Sequence, residues 1–258
     1  MDIEKILADK PPLRTIPGIA CRRHPIVYCS IPKAGCTTIK HVMYYIDNGA
    51  YYPDHLAIHN DPQALLWARS EERDDYIEAI RKRKITFTFV REPFARAYSA
   101  FNEKIHFTSK YSFPAFRAML VNEYGAVFPD AAETITPARH SDNFLKFLYL
   151  VRDGMTEPVR KKWDPHWAPQ TQLLGMFQRY ISIDLVGRLE SFVPAMNYVL
   201  QLGGVKQPID LSIRFNEGPK PPYSLQEIMT PAILECLWEL YHEDVEHFGY
   251  GEAVKAYC

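Results

Sequence analysis

The sequence predicts an α/β fold, a single domain with a central, mainly parallel β-sheet flanked by helices. Three observations predict it. Three short apolar runs rich in β-formers read as strands: 26–30 (IVYCS), 85–90 (ITFTFV) and 181–186 (ISIDLV). Each is followed by apolar residues at helical spacing. No shift in composition marks a boundary inside the chain. Strands that alternate with helices pack as a parallel sheet with helices on its faces.

The elements follow in chain order. Residues 1–25 read as a polar, Pro-bearing lead-in, and 26–252 as the domain. After the first strand, Pro32 and Gly35 break the run. Thr37 then opens a helix with Ile39, Val42, Met43 and Ile46 inward, ended by Asn48-Gly49. Residues 71–84 are charged and helical in pattern. The run 85–90 alternates β-branched and aromatic residues. Arg91 and Pro93 precede a helix marked by Phe94, Ala97, Tyr98, Phe101 and Ile105. Ser141-Asp142 read as the cap of a further helix, NFLKFLYLV. The third strand leads to FVPAMNYVLQL, a helix stopped by Gly203-Gly204. A last helix covers about 225–245.

Composition narrows the function classes. The chain has 258 residues, with 30 Lys+Arg against 31 Asp+Glu. A net charge of −1 excludes a general nucleic-acid binder, and 47 % hydrophobic residues exclude a disordered chain. The five cysteines, Cys21, Cys29, Cys36, Cys236 and Cys258, form no CxxC pair, so neither a disulfide framework nor a zinc site is expected. The N-terminus lacks the apolar core of a signal peptide, and no run of about 18 apolar residues reads as a transmembrane helix. A soluble, cytoplasmic protein is the expectation.

Two motifs carry chemistry. In 31–40 (IPKAGCTTIK) a strand runs into a Pro/Gly turn and then a helix. Gly35 lets N–H groups point inward, the helix offers unpaired N–H groups, Lys33 adds a full charge, and Thr37 and Thr38 add hydroxyls. This makes a phosphate cradle. It is not a Walker A loop, because GxxxxGK[ST] is absent. Taken alone, the segment also reads as an ordinary corner with an exposed lysine. In 89–101 (FVREPFARAYSAF) a strand ends in Arg91, where strand C-termini face a ligand crevice. Arg91 can grip a phosphate bidentately, with Ser99 two turns on. Arg91 paired with Glu92 or Glu103 is the plainer alternative. Two phosphate sites at neighbouring strand ends suit a nucleotide phosphorylated at two separate positions.

Here a family resemblance enters. IPKAGCTTIK resembles the 5′-phosphosulfate loop of the carbohydrate sulfotransferases, and FVREPFARAYSAF resembles their 3′-phosphate motif. The likeness is to the Golgi family that includes the chondroitin 4-O- and HNK-1 sulfotransferases, sulfotransferase family 2. Pro165-His166-Trp167 looks like its His-Trp segment, 184–191 (DLVGRLES) like its DLVGKYET stretch, and 241–250 (YHEDVEHFGY) like its YxxDFxxFxY. The matches stand in order over about 26–250. The animal relatives add a membrane anchor, a stem and paired cysteines, so this chain resembles a compact, soluble, bacterial form.

The resemblance implies transfer of a sulfuryl group from 3′-phosphoadenosine 5′-phosphosulfate (PAPS) to a carbohydrate hydroxyl, with no metal. It gives Lys33 the leaving phosphate and the sulfuryl group. It gives Ala34, Gly35, Cys36, Thr37 and Thr38 the 5′-phosphate, and Arg91 and Ser99 the 3′-phosphate. The general base is a histidine. His59, 32 residues before Arg91, is the first choice; His166 and His55 are alternatives. Lys220, in a Pro/Gly-rich loop, is a candidate donor contact or an exposed turn residue. The run 81–84 (RKRK) reads as a solvated helix end. The run 160–162 (RKK) precedes Trp163 and Trp167; Trp faces suit sugar rings and lysines an anionic glycan, so the cluster is either an acceptor contact or an ordinary solvated run. Two other readings compete: an ATP-dependent phosphotransferase with an atypical P-loop, and a catalytically silent nucleotide- or glycan-binding module.

Overall fold

The computed structural model describes residues 18–59, 61, 64–67, 73–129, 135–156, 162–215, 218 and 220–257. Its strands are β1 (Ile19–Ala20), β2 (Ile26–Tyr28), β3 (Leu66–Trp67), β4 (Ile85–Val90) and β5 (Leu185–Arg188). Its helices are α1 (Cys36–Asn48), α2 (Arg73–Lys82), α3 (Pro93–Phe101), α4 (Pro114–Tyr124), α5 (Pro137–Thr156), α6 (Gln170–Gln178), α7 (Phe192–Leu202), α8 (Leu225–Ile228), α9 (Pro231–His247) and α10 (Gly251–Val254). The chain forms two compact units. One comprises the described residues of 1–91 and 173–217, the other those of 92–172 and 218–258.

The first unit holds the whole sheet, in the order β3-β1-β2-β4-β5. β2, β4 and β5 are parallel neighbours, as their alternation with helices predicts. β1 pairs antiparallel with both β2 and β3, which makes the sheet mixed. Period-two alternation divides the core. Ile26, Tyr28, Ile85, Phe87 and Phe89 face α1 and α7 through Ile39, Val42, Met43, Ile46, Phe192, Met196 and Val199. Val27 and Cys29 face the other way, into a smaller cluster with Tyr76 and Ile80 of α2.

The DLVGRLES stretch works here as a structural element. The Thr86 N–H donates to the Asp184 carboxylate at 2.7 Å, and the Asp184 N–H to the Thr86 carbonyl at 2.8 Å. These two bonds set the β4–β5 register. A side chain on Gly187 would meet the Phe89 ring at 2.7 Å, so only glycine fits there.

Three elements differ from the sequence reading. The third strand lies at 185–188, because Asp184 bonds β4 just before it. Ser141 and Asp142 sit inside α5, which starts at Pro137; the Ser141 hydroxyl donates to the Ile228 carbonyl at 2.8 Å instead of capping. The last helix is two helices, since Pro231 has no N–H to continue α8 and Thr230 caps a new start. The strands β1 and β3 were not expected, and β1 lies in the stretch read as lead-in. Residues 1–17, 71–72 and 258 lie outside the described residues.

The second unit is helical around Phe94, Phe101, Phe144, Phe147 and Trp167. Glu92 caps α3, accepting from the Phe94 and Ala95 N–H groups at 2.9 and 2.6 Å, with Pro93 in the first turn. A π-helical turn, Asn102–His106, follows α3. It delivers His106 against His140, ring centroids 4.5 Å apart. Burial drives the His106 pKa from 6.5 down to about 4, helped by the Arg117 guanidinium. Burial likewise drives His140 down to about 3, helped by His106. Both rings are therefore neutral in the fold at neutral pH, whereas the unfolded chain protonates them below about pH 6.5. The unfolded state binds more protons there, so folding weakens as pH falls. Each ring costs about 1.4 kcal/mol per pH unit below 6.5. Urea titrations at pH 7 and pH 5 are expected to show this loss, and His140→Phe to reduce the slope.

Candidate active site

The site starts at the C-terminal ends of β2 and β4. These strands are parallel neighbours, so the loop 31–35 after β2 and Arg91 after β4 lie side by side. Arg91 Nη1 donates to the Lys33 carbonyl at 3.4 Å. Lys33 has φ 65°, and among the described residues it alone of the non-glycines has positive φ. A residue with a Cβ pays about 1–2 kcal/mol there, a strain that marks functional loops. Gly35 has φ 77°, and a Cβ on it would sit 2.6 Å from Leu189 Cδ1. The positive φ favours glycine, and the Leu189 methyl would have to give way to any Cβ. As the N-cap of α1, Gly35 has no side chain to bond the first-turn N–H groups of Cys36, Thr37 and Thr38. A tight left-handed turn, those N–H groups and the half-exposed Lys33 lie together at the start of α1, the backbone arrangement that suits an anion.

Thr37 and Lys40, three apart on α1, reach the same ring. Thr37 Oγ1 lies 2.9 Å from His59 Nε2, and Lys40 Nζ lies 2.8 Å from His59 Nδ1. The ring is presented by a one-turn helix, Ala57–His59, anchored by the buried Ile58. The Asp54 carboxylate holds that turn from the Leu56 and Ala57 N–H groups. His55 does not reach Thr37 in this way; its ring packs on Phe215 at 5.1 Å. The Thr38 hydroxyl is bonded to Phe215, accepting from its N–H at 3.2 Å, which leaves Thr38 its N–H for the cradle. Cys36 is half-buried.

Ser99, His166 and Lys220 belong to the second unit. Ser99 is half-buried on α3, and Lys220 is exposed. In the Lys220 loop, the Tyr223 hydroxyl donates to the Ile135 carbonyl at 2.8 Å, and Ser224 caps α8 with Glu227 in a capping box. His166 Nδ1 lies 2.6 Å from Asp164 Oδ1, and the same oxygen accepts the His166 N–H at 2.9 Å. A carboxylate only accepts, so Nδ1 carries the proton and the lone pair is on Nε2.

The Asp164–Ala168 turn is held from behind. The buried Arg96 donates to the Ala168 and Pro165 carbonyls, both at 2.8 Å. The Tyr241 hydroxyl donates to the Trp167 carbonyl at 2.7 Å. The fully buried Asp244 accepts from the Gln170 N–H at 2.7 Å, and from the Thr171 N–H and hydroxyl at 2.8 and 2.9 Å. The C-terminal YHEDVEHFGY stretch is thus a clamp on the His-Trp turn. Asp244→Ala strands the buried Gln170 N–H and the part-buried Thr171 N–H and is expected to cost about 3 kcal/mol, read as a lowered urea midpoint, with Asp244→Asn losing less.

Trp167 corrects one expectation. It is fully buried, edge-on to Phe147 and Phe116, so it offers no face to a sugar. Trp163 is half-buried and donates to Gln172 at 3.0 Å. Of the basic run beside it, Lys162 pairs with Glu123 at 3.2 Å; Arg160 and Lys161 lie outside the described residues. The run 81–84 ends α2 as expected, with Arg83 bonded to Thr86 and the Ile80 carbonyl.

Lys40 and Asp164 are the two groups that the sequence reading missed. Each had a local signal. Thr37-x-x-Lys40 is the spacing that puts two side chains on one helix face, and Asp164-x-His166 is a short turn in which the carboxylate reaches back to the ring.

Comparison with known proteins gives the family. A model of the sulfotransferase family matches residues 18–251. Carbohydrate sulfotransferase 11 of Mus musculus is 30 % identical over 239 residues, 88 % of this chain and 65 % of its own length. Carbohydrate sulfotransferase 12 of Mus musculus is 29 % identical over 247 residues, 88 % of this chain and 58 % of its own. Carbohydrate sulfotransferase 9 of Homo sapiens is 28 % identical over 194 residues, 72 % of this chain and 41 % of its own. The chain thus spans about half the length of the curated relatives it matches. No solved structure gives a significant match.

Proposed function

The chain belongs to the sulfotransferase family, and from that premise we propose that it moves a sulfuryl group from PAPS to a carbohydrate hydroxyl. The observation that carries the reading is the cradle itself: Lys33 and Gly35 both left-handed, an uncapped helix start, and Arg91 at the next strand end. Those groups fit an adenosine that carries phosphates at two positions. When bound, PAPS supplies a sulfuryl group whose bond to the 5′-phosphate oxygen breaks as the bond to the acceptor oxygen forms, leaving the 3′,5′-bisphosphate.

The chain's own residues then do three jobs. The N–H groups of residues 35–38 and the Lys33 ammonium hold the 5′-phosphate and neutralise the charge it gains; the Ala34 N–H, expected from sequence to join them, donates instead to the Ile31 carbonyl at 3.4 Å. Arg91 takes the 3′-phosphate, with Ser99 as the partner the family resemblance gives it. A histidine accepts the acceptor's proton. His166 has the chemistry for that step, because the Asp164 carboxylate would stabilise the imidazolium that forms. His59, the first choice from sequence, is kept at the cradle beside Thr37. Lys220 remains a candidate donor contact. The sugar as acceptor rests on the printed names of the relatives.

The direct assay is transfer of labelled sulfate from PAPS to a panel of oligosaccharides. Labelled product from wild type, with none from His166→Ala that still binds the bisphosphate, supports the reading. Transfer retained by His166→Ala and lost by His59→Ala moves the base back to His59. ATP turnover in place of PAPS turnover overturns the proposal.

A further inference from the structure

We propose that Lys40 is a positioning residue that fixes the tautomer of His59, so that His59 presents a proton to the cradle instead of accepting one. The geometry is the Thr37–His59–Lys40 triplet, with both ring nitrogens engaged at 2.9 and 2.8 Å. An ammonium has three donors and no acceptor, so Nδ1 must be the acceptor of that bond. A neutral imidazole has one N–H, which then sits on Nε2 and points at Thr37 Oγ1. The Thr37 oxygen is thereby used as an acceptor, and its own hydrogen is left to donate to a second group.

Lys40 is built for this task. Its side chain is buried, at 6 % exposure, and its ammonium lies 4.7 Å from the Trp67 ring centroid. An aromatic face attracts the cation and helps to hold it in place. The spacing does the rest: Thr37 and Lys40 share a face of α1, and the Ala57–His59 turn brings the ring between them. A ring held in this way does not take a proton at Nε2, because that nitrogen already carries one. Its one N–H is spent on Thr37, so the donor it prepares where negative charge collects is the Thr37 hydroxyl. The functional meaning rests on the sulfotransferase reading; the tautomer does not.

Long-range proton–nitrogen NMR on the folded chain, with nitrogen-15 histidine, reads the tautomer directly, and His59→Asn assigns the signal. The wild type is expected to show Nε2 protonated and Nδ1 bare. Lys40→Met is expected to let the ring exchange between tautomers. Lys40→Arg, which keeps a donor-only cation, is expected to restore the wild-type pattern. In the transfer assay Lys40→Met is expected to lower kcat at least about 10-fold, while affinity for the bisphosphate changes far less. A wild-type His59 with its proton on Nδ1 overturns the inference, and this holds even if Lys40→Met fails to fold. An unchanged pattern in folded Lys40→Met overturns it too. A wild type with the expected tautomer and no transfer from PAPS overturns the proposed function and leaves this inference standing.

Discussion

Lys33→Ala is expected to lower kcat for sulfuryl transfer by about 10²-fold or more and to leave the fold intact. The lysine is half-exposed and lies outside the buried core clusters, so its truncation is expected to disturb the core little. What it removes is the full positive charge of the cradle, on the leaving-phosphate side of the reaction. Losing one preorganised charge-stabilising group typically costs 10²–10³ in kcat. The backbone supplies a control. At φ 65° glycine is free of the strain that a Cβ imposes, so Lys33→Gly is expected to raise stability by about 1 kcal/mol while losing activity as fully as alanine. Stability and turnover moving in opposite directions would separate the charge from the scaffold. Residual activity within a few-fold of wild type in either variant removes Lys33 from the reaction.

Arg91→Ala is expected to weaken binding of 3′,5′-adenosine bisphosphate by about 10- to 100-fold, from the loss of about 1.5–3 kcal/mol of charged hydrogen bonding. AMP, which lacks the 3′-phosphate, is expected to bind the variant and the wild type alike. The comparison isolates one phosphate because Arg91 has a second, smaller job. Its contact with the Lys33 carbonyl, at 3.4 Å, ties the end of β4 to the cradle loop. A loosened loop lowers affinity for both nucleotides; a lost 3′-phosphate contact lowers it for one. Arg91→Lys keeps the charge but not the planar fork, and is expected to fall between. Equal losses for the two nucleotides contradict the assignment.

Much of the sheet unit was legible because its elements are buried on both faces. The runs at 26–28 and 85–90 show it as continuous apolar or β-branched sequence, and α1 and α7 show it as helical periodicity ended by glycine. Two-residue strands carry no period, so β1 and β3 were invisible, and with them the antiparallel half of the sheet. Ser141-Asp142 looked like a cap because capping residues also serve inside helices when a neighbour accepts their hydroxyl, as Ile228 does. At the candidate site, the turn at Lys33–Gly35 and its closeness to Arg91 were legible because both follow from local backbone and neighbouring strand ends. The roles of the histidines were not, because a ring's chemistry is set by its partners. Lys40 on His59 and Asp164 on His166 give two similar side chains opposite tautomers. The YHEDVEHFGY and DLVGRLES stretches carry family likeness, yet here they hold the His-Trp turn and the β4–β5 register.

The measurement closest to the central claim is a thermal-shift titration with 3′,5′-adenosine bisphosphate, run beside AMP, ADP and ATP with Mg²⁺. A ligand that binds only the folded state adds about 2.7 kcal/mol at a hundred times its dissociation constant. The cradle at Lys33–Thr38 with Arg91 predicts a clear shift with the bisphosphate and none of similar size with the other three. A shift with ATP and Mg²⁺ in its place would contradict a two-phosphate donor site and turn the fold toward phosphoryl transfer. No shift with any nucleotide would contradict it as well, and would leave a chain that binds glycans without a donor.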